Sequence, residues 1–240
     1  MRRITTALAV ILASAIALQA KTLVVYYSYT NNVQSIVEAL TQQIDADVVR
    51  IEPAEKGLDY AANNYAIGSA QIAAIRNNPT DTASYPAIDA VNVNLADYDC
   101  IIIGAPLWWS QMAAPLQTYL FENGAAMAGK HIGLIVSSAS SGISGVEEDA
   151  KRLIPDGDFF TTSLWVRSAQ VSSAPSLIEQ WLTDIDYKAV ADLGTVANDQ
   201  DTDHYTVYSI SGNLVGSRMA SLENLATGLY IINGRKVRMN

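Results

Sequence analysis

A single cysteine, Cys100, excludes an internal disulfide, and its apolar surroundings "DYDCIIIGAP" predict a buried, inert thiol rather than a nucleophile. Histidine is as scarce: only His131 and His204 occur. Neither stands at a spacing that would let Ser28 or Ser137 work as a hydrolase nucleophile, and no acid completes such a set. Cationic residues are few, 15 Lys and Arg against 24 Asp and Glu, and none cluster in the middle of the chain. Nucleic acid and anionic membrane surfaces are therefore excluded as expected partners. What is present is apolar: half of the 240 residues, enough to bury a sizeable core in one domain with an appendage, or in two small domains.

The first twenty residues have the pattern of a secretory leader. Arg2 and Arg3 precede an apolar stretch from Ile4 to about Leu18 that ends in small residues, with cleavage expected after Ala17 or Ala20. The stretch is short for a membrane span, so no span is expected after its removal. Loss of the two arginines leaves 13 basic against 24 acidic residues, a net charge of −11 instead of −9.

From Lys21 on, strand and helix patterns alternate. "TLVVYY", "ADVVRIEP", "CIIIGAP", "KHIGLIVSS" and "DFFTTSLWV" read as strands one to five, and "VQSIVEALTQQI" places Val33, Ile36, Val37, Leu40 and Ile44 at helical spacing. Helices are also expected at 114–122, 146–154 and 174–185. Such alternation predicts an α/β fold, a doubly wound five-stranded parallel sheet, with ligands beyond the carboxyl ends of its strands. Between strands two and three runs an insert, 54–99, far longer than an ordinary connection, which either covers an edge or serves the ligand. After Asp186 an acidic linker leads to a small β appendage, 205–240, in which Asn233–Gly234 signals a hairpin.

Three loops meet at the ligand edge. After strand one, "SYTNN" sets hydroxyls and amides at a strand-to-helix corner, which suits either a bound phosphate or plain helix capping. After strand three, "GAPLWWSQMAAP" carries Trp108 and Trp109; one indole is expected under the next helix and the other in a stacking wall. After strand four, "SSASSGISG" is small enough for backbone to approach a flat ring. Tyr27, Tyr29, Tyr60 and Tyr65 are further candidates for the ring site, Tyr27 equally for the core.

These segments together, from Lys21 to about Asp186, resemble the flavodoxins, in particular a group carrying a GxPxWW loop. The resemblance implies strand order 2-1-3-4-5 and bound FMN. It assigns Ser28, Tyr29, Thr30, Asn31, Asn32 and Val33 to the phosphate loop. Pro106, Leu107, Trp108 and Trp109 fall in the first ring loop, and Ser137, Ser138, Ala139, Ser140 and Gly142 in the second. Asn31 stands where the family has Gly, and tolerates the left-handed backbone that Gly would supply. Val33 stands where the family has Thr, and lacks its hydroxyl. The implied role is that of an exported redox protein, carrying electrons or reducing a small acceptor such as a quinone. The alternative is a non-redox binding module that has lost FMN. The tail, "VYSISGNLVGS" to the basic end, resembles the sorting domain of proteins exported by the type IX route, which implies export machinery as a partner.

Overall fold

The computed structural model describes residues 20–192, 205–209, 212–219, 221–222, 225–232 and 235–239. The expected leader, most of the acidic linker and the Asn233–Gly234 turn lie outside the described residues. The chain divides into two units, Ala20–Ala191 and a smaller one that holds the C-terminal strands.

In the larger unit, β1 (Thr22–Tyr26) lies between β2 (Asp47–Arg50) and β3 (Cys100–Trp108), and β3 pairs with β5 (His131–Ser138), all parallel. A short β4 (Gln111–Met112) folds back antiparallel on β3. Two pieces, β6 (Asp158–Phe159) and β7 (Leu164–Arg167), both pair parallel with β5. The order is that expected for 2-1-3-4-5 once the short β4 is set aside. Strand five is thus broken in two: between its pieces the Thr162 carbonyl leaves the ladder and accepts from the Trp181 indole N–H at 2.9 Å.

Successive residues of a strand point to opposite faces, and the apolar runs bury both. Leu23, Val25 and Tyr27 of the first strand segment face one core with Ile101, Ile103, Leu134 and Val136. On that side lie α2 (Ala62–Asn77), α3 (Ala114–Asn123) and α4 (Ser144–Leu153). Val24 and Tyr26 face the other core, against α1 (Asn32–Thr41) and α5 (Ala174–Asp184). The buried face of α1 is Val33, Ile36, Val37 and Leu40, as their spacing predicts; the helix ends at Thr41, and Ile44 packs half-buried just beyond. Gly133 lets the Trp181 ring pack closely on the sheet, since a Cβ there would lie 3.1 Å from it. Cys100 is buried, and burial pushes its thiol up to about 12. The short helix α6 (Tyr187–Asp192) occupies the first residues expected in the linker. Among the described residues, no helix is long and apolar enough to cross a membrane.

The smaller unit is a four-stranded antiparallel sheet, ordered β11-β10-β8-β9, from β8 (Tyr205–Ser209), β9 (Leu214–Met219), β10 (Gly228–Ile232) and β11 (Arg235–Met239). Ile232 pairs with Arg235, one strand on either side of the expected turn. Val207 and Ile232 are buried.

Candidate functional site

The corner after β1 is shaped by one residue. Asn31 takes a left-handed backbone (φ 63°, ψ 0°) as the N-cap of α1, with no capping bond from its side chain. This turn leaves the first amides of the helix pointing outward. Among the described residues no acceptor takes the N–H of Thr30, Asn31, Asn32 or Val33, whereas that of Gln34 donates to Ser28 Oγ at 3.3 Å. Ser28 is 3% exposed, and Arg50 donates to its carbonyl at 3.1 Å. A row of free amides at the start of a ten-residue helix, with the positive end of its dipole behind them, is a receptor for an anion. Val33 is buried, and its side chain packs toward Gly104, so the residue offers an anion only its amide.

The second wall comes from β3, β4 and their turn. Trp109 (φ 47°) and Ser110 (φ 64°) form a two-residue hairpin in which both central residues are left-handed. Such turns are normally built from Asn and Gly. Each bulky residue held this way costs about 1–2 kcal/mol, so the surroundings must impose it. They do so from α4: Met112 N–H donates to Asp149 Oδ2 at 2.9 Å, and Gly145 lies so close that a Cβ there would sit 2.0 Å from the Ser110 carbonyl oxygen. Asp149 is itself held by Arg152 at 2.8 Å.

The insert supplies the third wall. Tyr60 is buried against Trp108 (centroids 4.8 Å), and Trp108 in turn meets Tyr27 and Trp109 edge-on. Tyr29 donates from its hydroxyl to Asp59 at 3.1 Å and accepts from Ala61 N–H at 3.1 Å, tying the corner to the insert. Burial raises the pKa values of Tyr27 and Tyr60, so both remain neutral phenols. Asn63, Asn64 and Tyr65 form a run of three left-handed residues at the start of α2. Tyr65 meets Trp109 at 6.5 Å, edge-on.

These walls enclose a cavity of about 540 Å³. Ser28, Tyr29, Thr30, Asn32 and Val33 line it from the corner, Pro106, Leu107, Trp108 and Trp109 from β3 and its turn, and Ser137, Ser138 and Ala139 from the end of β5. Asn31 sets the turn without lining the space; Ser140 and Gly142 are exposed beyond it. Trp108 is half-buried against Tyr27 and Tyr60 and Trp109 is exposed, and both indoles line the cavity. Tyr27 belongs to the core. Sequence reasoning named Tyr60 and Tyr65 only as candidates and missed Ala61, Gly68 and Ser168 in the lining. Ser168 had a signal, since it follows the last sheet strand at the same edge; it accepts from Asn32 Nδ2 at 3.3 Å. None of the lining side chains carries a formal charge.

A sequence profile described as flavodoxin matches residues 21–185. The chain belongs to the flavodoxin family. Solved structures agree with that membership. A candidate flavoprotein from Bacteroides eggerthii superposes with a TM-score of 0.56 at 25% identity, covering 70% of this chain and 98% of its own. One from Bacteroides uniformis gives 0.53 at 25%, covering 67% and 99%. A flavoprotein from Lactobacillus acidophilus, solved in complex with FMN, gives 0.51 at 21%, covering 64% and 97%, a likeness of fold. No curated protein matches the chain. Within the flavodoxin fold, the cavity lies where a doubly wound sheet binds its ligand, at the carboxyl ends of β1, β3 and β5.

Proposed function

We propose that the chain is an exported, FMN-binding redox protein of the flavodoxin family, of the group with a GxPxWW loop, which carries electrons or reduces a small acceptor such as a quinone. The observation that carries this reading is a single cavity with free helix amides at one end and an indole wall at the other. That is the arrangement a phosphate joined to a flat ring requires. The amides of Thr30 to Val33, with the side chains of Ser28, Thr30 and Asn32, would hold the phosphate. Pro106, Leu107, Trp108 and Trp109 would wall the ring on one side, and Ser137, Ser138 and Ala139 at the end of β5 on the other. Val33 withholds a hydroxyl, a loss of about 1–3 kcal/mol of phosphate binding unless it is replaced. The Ser168 hydroxyl, which accepts from Asn32 at the same corner, already donates to the Ser138 carbonyl at 3.3 Å and would have to leave it to replace that donor.

FMN supplies the electron chemistry when bound; the protein supplies its position and electrostatics. The lining is uncharged, and the chain carries −9 overall, so this environment disfavours negative charge on the ring and lowers its reduction potential. The leader-like first twenty residues and the sorting-like tail support export.

Titration of the protein, cleaved of its leader, into FMN tests the reading. Quenching of flavin fluorescence and a yellow protein are expected, with Trp109→Ala weakening the affinity about ten-fold. A colourless protein that leaves FMN fluorescence unchanged would overturn the redox assignment in favour of a non-redox binding module. Equal affinity in the variant would remove the stacking role from Trp109.

A further inference from the structure

Among the described residues of the larger unit, only Val48, Tyr65 and Trp109 are large apolar side chains standing exposed. Two of these three meet at the mouth of the cavity, Tyr65 at 53% and Trp109 at 43% exposure. Their exposure is built in. Both sit on left-handed backbone, a conformation that bulky residues avoid, so the surrounding structure holds each ring where it is.

We propose that Tyr65 and Trp109 form an outer subsite that takes a second planar aromatic molecule of no net charge, beside the FMN position. The inference rests on the FMN reading above and names the class of molecule that meets the cofactor there. Gly68 lets α2 approach the indoles closely. A Cβ at this position would lie 3.1 Å from the Trp109 ring and 3.4 Å from Trp108, so α2 lies directly against the indoles. Tyr65, three residues earlier, is thereby brought to the edge of Trp109, with centroids 6.5 Å apart and planes at 75°. Rings set edge-on leave a face open, and a third ring that lies on that face adds an offset-stacked contact.

The lining chemistry selects the class. Away from the corner amides that would hold the phosphate, the lining beside Tyr65 and Trp109 has no charged side chain, so an ionic ligand there would lose hydration with no ion partner to replace it. An uncharged ring incurs no such cost and buries apolar area against both aromatic residues. Tyr65 is then a specificity residue for the second molecule and Trp109 serves both ligands.

Binding of 2-naphthol, a redox-inert uncharged probe, to the FMN-loaded full chain at pH 7 tests this by equilibrium dialysis, with naphthalene-2-sulfonate as the charged counterpart. The sulfonate is expected to bind about ten-fold more weakly. Tyr65→Ala is expected to weaken 2-naphthol binding about five-fold while FMN affinity stays within about two-fold, and Tyr65→Phe to restore it. Unchanged 2-naphthol binding in Tyr65→Ala overturns the subsite. So does an equal loss of FMN affinity, which would make Tyr65 part of the cofactor wall, and so does equal binding of the two probes. Failure of the unmodified chain to take FMN is a separate result, read in the first titration, and sinks the redox reading instead.

Discussion

Gly145→Ala changes one methyl group outside the cavity and should disturb the site through the backbone. The new Cβ would lie 2.0 Å from the Ser110 carbonyl oxygen, whereas ordinary contact begins at 3.4 Å. The obstacle is backbone, so either the start of α4 or the Trp109–Ser110 turn must move by 1.4 Å, the difference between those two distances. Overpacking of this kind costs about 1–3 kcal/mol. The gain in helix propensity from Gly to Ala, at most about 1 kcal/mol in a helix interior, offsets only part of it. A net loss of about 1–2 kcal/mol lowers the melting temperature of a domain this size by roughly 2–8 °C. The functional effect should be larger than the loss of stability suggests, because the turn that moves carries Trp109. A displacement near 1 Å in a positioned group can cost up to about a hundred-fold, and at least a ten-fold rise in the FMN dissociation constant is expected. Flavin fluorescence titration and near-ultraviolet circular dichroism of the tryptophans measure both effects. Gly142→Ala is the control, three residues away with nothing within 4 Å of the added Cβ; it should leave stability and FMN affinity unaltered. Unchanged FMN affinity and unchanged tryptophan dichroism in Gly145→Ala would refute the claim that α4 holds the indole in place.

Other consequences are as direct. Asn31→Ala, at φ 63°, should destabilise the protein by about 1 kcal/mol in chemical denaturation, whereas Asn31→Gly should be neutral or slightly stabilising. Asp149→Ala removes the acceptor of the buried Met112 N–H, while Arg152, a third exposed, keeps its bonds to Tyr85 and Gln117; the change should cost about 1–3 kcal/mol, read from the denaturation midpoint. The Cys100 thiol should react with a thiol reagent at pH 8 only after unfolding, because burial favours its neutral form in the fold. Its folded pKa, about 12, lies above its ordinary 9.0. Cys100 therefore contributes stability that is complete below pH 9 and declines as pH rises from there toward 12, measurable as a falling melting temperature over that window.

How much was legible in the sequence differs from element to element. Strands buried on both faces are written as unbroken apolar runs, so β1, β3 and β5 were readable to within a residue or two. The left-handed turn at Asn31 was readable through the resemblance to flavodoxins, which have Gly there, since few residues other than Gly accept that backbone. The β3–β4 hairpin was not readable. Trp-Ser is no signal for a turn with two left-handed residues, and the conformation exists because α4, more than thirty positions later, presses on it through Gly145 and Asp149. The break in strand five was not readable either; between its two pieces the Thr162 carbonyl accepts from the Trp181 indole on α5, a partner 19 positions away.

By itself, then, the amino-acid order determined the layered α/β body, because this follows from local periodicity, whereas the order of its strands and the left-handed corner after β1 were legible only through the resemblance to flavodoxins. Only the tertiary structure decided which of the two indoles faces outward, that the insert lies against them through Gly68, and that Tyr65 closes the rim. Those outcomes depend on contacts between segments some forty residues apart, where steric fit between surfaces, rather than any residue's own preference, sets the geometry.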